Sequence, residues 1–307
     1  MESHASQSAR SMGHPALSWD NAGMSPLARI VFDTSGINAL EDGGPQSEPL
    51  MKALGCGFDV IVTAMNVDEV LSTKDPLRRE ALLGRCQRLL GRCVWPPHWI
   101  LQLLISAHFR DSARFDWQQI DVEAKVYERA LVQRDFTDEL CAQQRKEQFS
   151  QQEQFGKFWR GLRPKLDPVL AKEPEKRPTS FAEAAEVARI DGGVLWGIGA
   201  ELYKHETGLR PSDGEVKAFM DTCPPFLAAC YGICGGWYDD ALRPLDDGGS
   251  SVGRNDLMMA VYLPYCGRFV THDWPQEGRL REIAAEAQIN CEVLSYEDFC
   301  AGFEVSA

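Results

Sequence analysis

LARIVFDTSG (residues 27–36) is an apolar run that ends in an acid, Asp33. A run that is apolar at nearly every position predicts a central strand of a parallel sheet, because such a strand is buried on both faces. Thr34 and Ser35 then predict a turn. Downstream, SEPLMKALG (47–55) predicts a helix and FDVIVT (58–63) a second short strand. These segments together have the pattern of a βαβ unit.

The same alternation of strands and helices returns near the end of the chain. Its segments are a buried helix over 255–266, a strand at RFVT (268–271), an amphipathic helix over 276–288, a strand at CEVL (291–294) and a closing helix over 296–303. Four strands separated by helices predict an α/β fold in three layers, a parallel sheet flanked by helices on both faces.

The middle of the chain predicts helices and almost no strands. We therefore divide the chain into a flexible tail (1–26), an α/β core in two parts (27–94 and 253–307) and a large all-helical insertion (95–252). KEPEKRPTS (172–180) is the clearest break within the insertion.

Four acids stand where strands end or helices begin. They are Asp33 after the first strand, Glu69 in a helix that Asn66 is expected to cap, Asp256 in the first turn of the buried helix, and Asp273 after RFVT. Each alone is explained by helix capping, a solvated helix face, the helix dipole or a turn. Together they would repel one another without a cation, and hard divalent cations prefer carboxylate oxygens. The four acids predict one metal site.

Composition limits the other classes of protein. No apolar stretch approaches the roughly 18 residues of a membrane-spanning helix, and the first residues lack the apolar core of a signal peptide. We expect a cytoplasmic protein with no membrane partner. The ten cysteines form no CxxC pair, which favours reduced thiols; a zinc site from Cys223, Cys230 and Cys234 would need a fourth ligand.

The net charge of −13 argues against nucleic acid on average, but two segments are locally basic, Lys74–Arg92 and Arg145–Arg177. Either segment is also explained as a solvated helix face. Lys74, Arg78 and Arg254 lie near the acids in sequence and are candidates to hold substrate phosphates, although each could instead pair with a neighbouring acid.

Two further side chains flank the last acid. Trp274 is a candidate to stack on an unpaired base, or else to cover the end of the sheet. His272 is expected to be an exposed loop histidine rather than an acid for the leaving group.

These motifs resemble the PIN-domain family of metal-dependent nucleases. The resemblance is carried by RIVFDTSGINAL, the acid in MNVDEVL, RNDLMMAVYLPYCGRFVTHD and CEVLSYEDF, and covers roughly residues 28–73 and 253–303, about a third of the chain. It implies that the four acids are the catalytic and metal-binding quartet, with Ser35 and Thr271 as supporting hydroxyls. It also implies Mg²⁺ or Mn²⁺ as cofactor and hydrolysis of RNA phosphodiester bonds by an endoribonuclease. The long segment between the second and third acids departs from the compact members of the family.

Alternatives remain open at this stage. A DNA flap or end nuclease of the same fold fits the same motifs, because RNA rests on the resemblance alone, and so does a non-catalytic PIN-like binding or scaffold protein. A phosphatase with Asp33 as nucleophile fits less well, since DxD[TS] would be needed and Ser35 stands two residues after Asp33. Candidate partners are RNA, an inhibitory or regulatory protein, and a second copy of the chain.

Overall fold

The computed structural model describes residues 27–134, 136–170, 172, 176–190, 193–243 and 252–304. It is an α/β fold built on five parallel strands in the order β3-β2-β1-β4-β5. The strands are β1 (Ala28–Phe32), β2 (Phe58–Thr63), β3 (Arg92–Val94), β4 (Arg268–Thr271) and β5 (Glu292–Ser295). The predicted tail (1–26) lies outside the described residues.

The strand order places a topological switch point between β1 and β4. The chain runs outward from β1 to β2 and β3, then crosses back to β4 and continues to β5. Ile30 of β1 pairs with Val60 of β2 on one side and with Arg268 of β4 on the other. Because all strands are parallel, their carboxyl ends meet at one edge, and a crevice at the switch point is where open α/β sheets bind ligands.

The sequence predicted four of the five strands. β3 was missed because it has only three residues, too few for a strand pattern, between Gly91 and the Trp-Pro-Pro segment. It becomes a strand by pairing with the second half of β2, with Cys93 opposite Val62.

Fifteen α-helices occur in the described residues. In the first part of the chain they are α1 (Thr34–Asp42), α2 (Glu48–Gly57), α3 (Ala64–Leu71), α4 (Pro76–Leu89), α5 (Pro97–Arg110), α6 (Lys125–Gln133), α7 (Asp138–Arg160) and α8 (Arg163–Leu170). The others are α9 (Phe181–Arg189), α10 (Val194–Thr207), α11 (Asp213–Thr222), α12 (Pro224–Trp237), α13 (Arg254–Met258), α14 (Trp274–Glu286) and α15 (Tyr296–Glu304).

Two predictions of local structure near the acids were wrong. Thr34 and Ser35 form the first turn of α1 rather than a loop, because the Asp33 carboxylate caps that helix by accepting from the Gly36 N–H. Asn66 does not cap α3. Thr63 is the cap, and Asn66 lies at the third helical position, where its side chain completes a capping box with Thr63.

A third prediction was only half right. The buried helix over 255–266 is the short helix α13 followed by a 3₁₀ segment, Met259–Tyr265, which contains Pro264. Proline removes a backbone donor, so a regular α-helix does not continue through it.

The two faces of the sheet pack against different helices. Val31 and Ile61 point to one core, shared with α5, α9–α12 and α14, while Ile30 and Val60 point to the other, shared with α1–α4 and α15. Most helices predicted as an insertion therefore cover one face of the sheet and share its core. The domain boundaries themselves stay a prediction.

Two predictions about composition can be compared with the structure. All ten cysteines are free thiols, as expected, and most are buried. Cys266 and Cys291 approach each other, with 3.6 Å between their sulfurs. None of the described helices is both long and apolar enough to cross a membrane.

Candidate functional site

Asp33 lies at the carboxyl end of β1, beside β4, and only 5% of its surface is exposed. Three donors surround its carboxylate. The Ser35 hydroxyl lies 2.9 and 2.8 Å from its two oxygens, the Gly36 N–H donates to Oδ1 at 2.7 Å, and the Thr271 hydroxyl donates to Oδ2 at 2.9 Å. Ser35 and Thr271, predicted as supporting hydroxyls, both contact the predicted metal ligand.

Burial dominates the protonation of Asp33. It raises the pKa of Asp33 to about 6, although hydrogen bonds from Gly36, Ser35 and Thr271 favour the charged form. The donors therefore only partly replace the water that the carboxylate has lost. A carboxylate in this position would be stabilised further by a cation.

Glu69 is half-buried on α3, facing the same edge of the sheet. Burial first, and then repulsion from Asp256 and Asp33, raise the pKa of Glu69 to about 8. Hydrogen bonds from the side chains of Thr34 and Asn255 act against this shift. The charge of Glu69 is thus repelled by two of the other predicted ligands, Asp33 before the insertion in sequence and Asp256 after it.

Asp256 is half-buried in the first turn of α13. Burial raises its pKa to about 7, together with repulsion from Asp273 and Asp33, while a backbone hydrogen bond from Gly253 favours the charge. The carboxylate lies close to Gly253: a Cβ on that glycine would stand 2.7 Å from Asp256 Oδ2 and 2.7 Å from Nε2 of Gln152. The space above Gly253 is therefore shared by an acid and by a side chain from α7.

Asp273 is the exposed member of the four. Its carboxylate caps α14 by accepting from the Gln276 N–H at 3.0 Å, and its own N–H donates to the Thr271 hydroxyl oxygen at 3.0 Å. The buried Gln276 accepts from Thr271 at 2.7 Å and donates weakly to the Asp256 backbone carbonyl at 3.5 Å. Thr271 has one hydroxyl proton, so it donates to Asp33 or to Gln276 at any one time.

The four acids fit a hard divalent cation by donor type and by charge. All offer carboxylate oxygens, and the repulsions on Glu69 and Asp256 join all four in one electrostatic group. Their side chains are not gathered closely: within the described part of the chain, no three His, Cys, Asp or Glu side chains are positioned to hold one metal ion. This finding applies equally to Cys223, Cys230 and Cys234, the alternative zinc ligands.

Two of the three predicted phosphate-binding cations, Arg78 and Lys74, differ in their surroundings. Arg78 is engaged by α1, with 2.6 Å to Asp42 and 2.9 Å to the Asn38 side-chain oxygen. Arg78 therefore pairs with a neighbouring acid, which was the alternative to holding a substrate phosphate. Lys74 is exposed, and among the described residues no acid lies within ion-pairing distance of it.

Most of the arginines in the first basic segment also pair with acids. These pairs are Arg79–Asp138, Arg85–Glu41, Arg88–Glu48 and Arg92–Asp59. Ion pairs within the protein therefore occupy most of these arginines, which does not favour a role in binding phosphates.

Both side chains that flank the last acid are exposed. Trp274 is 75% exposed at the start of α14, so it does not cover the end of the sheet. His272 is exposed, as expected, and its Nε2 lies 2.8 Å from Glu297.

Sequence reasoning missed the neutral side chains that surround the acids. Thr34 hydrogen-bonds Glu69 and also accepts from Asn66, while Asn255 hydrogen-bonds Glu69 from the other half of the core. The available signal was adjacency, since Thr34 follows Asp33 and Asn255 precedes Asp256. No local pattern marked Gln276.

Helix α7 of the insertion forms a wall of the site. It packs against α3, which carries Glu69, and against α13, which carries Asp256. Gln148 accepts from the Asn255 side chain at 3.3 Å, and Gln152 accepts from the Arg254 N–H at 2.9 Å. The segment that separates the acids in sequence thus meets them in space.

No protein-family model, curated protein or solved structure matches this chain. The site is therefore interpreted from its own residues.

Proposed function

We propose that this protein is a metal-dependent nuclease, an endoribonuclease with a PIN-like core, that hydrolyses phosphodiester bonds at Asp33, Glu69, Asp256 and Asp273. One observation carries the proposal: carboxylates from both halves of the core repel one another at the switch point of a parallel sheet. Like charges that lie close together and partly out of contact with water are costly unless a cation accompanies them. Mg²⁺ or Mn²⁺ is the cation that such oxygen ligands favour.

A bound divalent cation would lower the pKa of a water molecule and neutralise charge on the phosphate. The chain's own residues prepare for this. Asp33 is fixed by Ser35, Gly36 and Thr271, so its carboxylate keeps one orientation. Glu69 and Asp256, with pKa values of about 8 and about 7, retain protons near neutrality unless another positive charge replaces them. Metal binding is therefore expected to release protons.

The choice of RNA rests on the resemblance to PIN-domain nucleases, and a DNA flap or end nuclease would use the same acids. The test is cleavage of RNA and DNA oligonucleotides of matched sequence, as single strands, with Mn²⁺ and the full-length protein. We expect cleavage of RNA that Asp33→Asn abolishes. If only the DNA oligonucleotide were cleaved, the proposed activity would be that of a DNA nuclease and not of an endoribonuclease.

A non-catalytic binding or scaffold protein is the second candidate. It is favoured by one observation, that no three acidic side chains in the described residues are placed to hold one ion. Thermal denaturation with and without Mn²⁺ separates the two. A nuclease site predicts that Mn²⁺ raises the melting temperature and that Asp33→Asn removes this effect, whereas a scaffold predicts neither.

A further inference from the structure

One face of α7 lines a cavity beside Asp256. The lining residues on α7 are Phe149, Gln152, Glu153, Phe155, Gly156 and Arg160, and the others are Asp240, Val252 and Arg254. The cavity has a volume of about 250 Å³. It reaches the acids through Gln152, whose amide lies against Gly253 together with the Asp256 carboxylate.

The cavity contains a cation, Arg254, that pairs with none of the acids in the described residues. The Arg254 guanidinium donates to Gln151 Oε1 at 2.9 Å and to Asn255 Oδ1 at 3.4 Å, both neutral amides. Within the described part of the chain, no carboxylate lies within ion-pairing distance of it. Burial lowers the pKa of Arg254, and the charge of Arg254 in turn helps to lower the pKa of His98.

The two acids that line the cavity are already paired. Glu153 lies 2.7 Å from Lys157, and Asp240 lies 3.8 Å from Arg160. Among the residues that the structure describes, no acid therefore neutralises Arg254, and its guanidinium attracts anions that enter the cavity.

Phe149 gives the cavity an apolar rim. This residue is 74% exposed. A ring this exposed contributes little hydrophobic stabilisation to the fold and is free to contact a ligand. A planar ring beside a guanidinium that no described acid neutralises matches a nucleotide, whose base stacks on the ring while its phosphate contacts the cation.

We infer that Phe149, Gln152 and Arg254 form a subsite for one nucleotide of a single-stranded nucleic acid, next to the bond that is cut. The inference rests on the proposed nuclease function and deepens it, because it gives the insertion a role in choosing the substrate. The strand must be single, since a paired base is stacked within its duplex and cannot place its face on Phe149. The volume of the cavity is sufficient for one base but not for a nucleic-acid duplex.

Binding is measured directly, with cleavage kept out of the experiment. A fluorescein-labelled single-stranded RNA 12-mer is titrated with the full-length protein in Ca²⁺ in place of Mn²⁺, anisotropy is recorded, and intact RNA is verified on a gel. Phe149→Ala should weaken binding about tenfold, within the range for the loss of one base–aromatic stack. Arg254→Gln should weaken it as well, and should reduce its dependence on salt.

Matched variants serve as controls. Phe158→Ala removes a phenylalanine that is 61% exposed on the same helix but does not line the cavity. Arg129→Gln makes the same charge change on the exposed surface of α6. Both should bind RNA like the wild type.

Two results would overturn the subsite: equal binding by Phe149→Ala and Phe158→Ala, or equal affinity for the 12-mer and its duplex. Failure of the nuclease proposal looks different. In that case the wild type binds the strand through Phe149 but leaves it intact in Mn²⁺. Cleavage in Mn²⁺ with an unchanged KM for Phe149→Ala would instead keep the nuclease and remove the subsite.

Discussion

The Thr271 hydroxyl donates to Asp33 Oδ2 at 2.9 Å, a hydrogen bond that joins residues 238 positions apart. The contact exists because β1 and β4 are neighbours in the sheet, with Phe32 opposite Val270 at their carboxyl ends. It joins a carboxylate on the first half of the core to the last residue of β4, two residues before Asp273, on the second half.

Thr271→Val should therefore weaken metal binding. The change removes a donor that favours the charged form of Asp33 and an acceptor for the Asp273 N–H. Loss of a partner that orients a metal ligand costs about tenfold or more in metal affinity. Isothermal titration with Mn²⁺ checks this. Thr222→Val, which alters a hydroxyl bonded to a carbonyl within α11, should leave the affinity unchanged.

The stabilising effect of Mn²⁺ should increase with pH. Asp33, Asp256 and Glu69 have pKa values raised to about 6, about 7 and about 8, so the folded chain binds their protons more tightly than the unfolded chain. Their contribution to metal-free stability is complete at low pH and is lost as the pH rises through these values. Over the same pH range these carboxyl groups lose their protons and become the charged carboxylates that can bind Mn²⁺.

Melting temperatures measured in EDTA and in Mn²⁺ between pH 5 and pH 9 test this linkage. The difference between the two curves should widen toward high pH. A constant difference would mean that these carboxyl groups do not bind the ion.

The sequence was sufficient to place the acids on the fold. Asp33 directly follows β1 and Asp273 follows β4 after one intervening residue, and parallel strands bring such residues to one edge. Local order along the chain carries this information. The supporting hydroxyls, Ser35 and Thr271, were implied instead by the resemblance to the PIN-domain family.

The other wall of the site could not be predicted. Gln152 lies 102 positions from Arg254, and their contact depends on how α7 packs across α3 and α13. The sequence of α7 predicts a polar helix, and nothing near Gln152 in the sequence indicates that its side chain contacts Arg254. β3 was hidden for a similar reason, because its pairing with β2 rather than its own three residues makes it a strand.

Glu69→Gln should stabilise the metal-free protein and weaken metal binding at once. The charge of Glu69 is disfavoured by burial and repelled by Asp256 and Asp33, and an amide of the same shape removes both costs. At pH 9 in EDTA, the melting temperature should rise by roughly 2 °C for each kcal/mol relieved. Mn²⁺ should then raise it less than in the wild type.

Glu186→Gln is the matched control, since it makes the same charge change on the exposed surface of α9. It should change neither curve. If Glu69→Gln behaved like Glu186→Gln in both conditions, Glu69 would belong to the surface and not to the group of repelling acids.

Gly253→Ala should damage the metal site without disturbing the backbone. The backbone at Gly253 has φ −65° and ψ 157°, which alanine adopts freely. Its methyl group, however, would stand 2.7 Å from both Asp256 Oδ2 and Gln152 Nε2, so the acid and the side chain from α7 must separate. We expect a loss of about tenfold in Mn²⁺ affinity, as for other changes beside a metal ligand.

Gly278→Ala separates this effect from the general effect of replacing glycine. Gly278 lies within α14, and a Cβ there meets nothing within 4 Å. Its replacement should stabilise the fold by about 0.4–1 kcal/mol and leave Mn²⁺ binding unchanged. Equal metal affinity in Gly253→Ala and Gly278→Ala would show that Asp256 has room to move and that α7 does not press on the site.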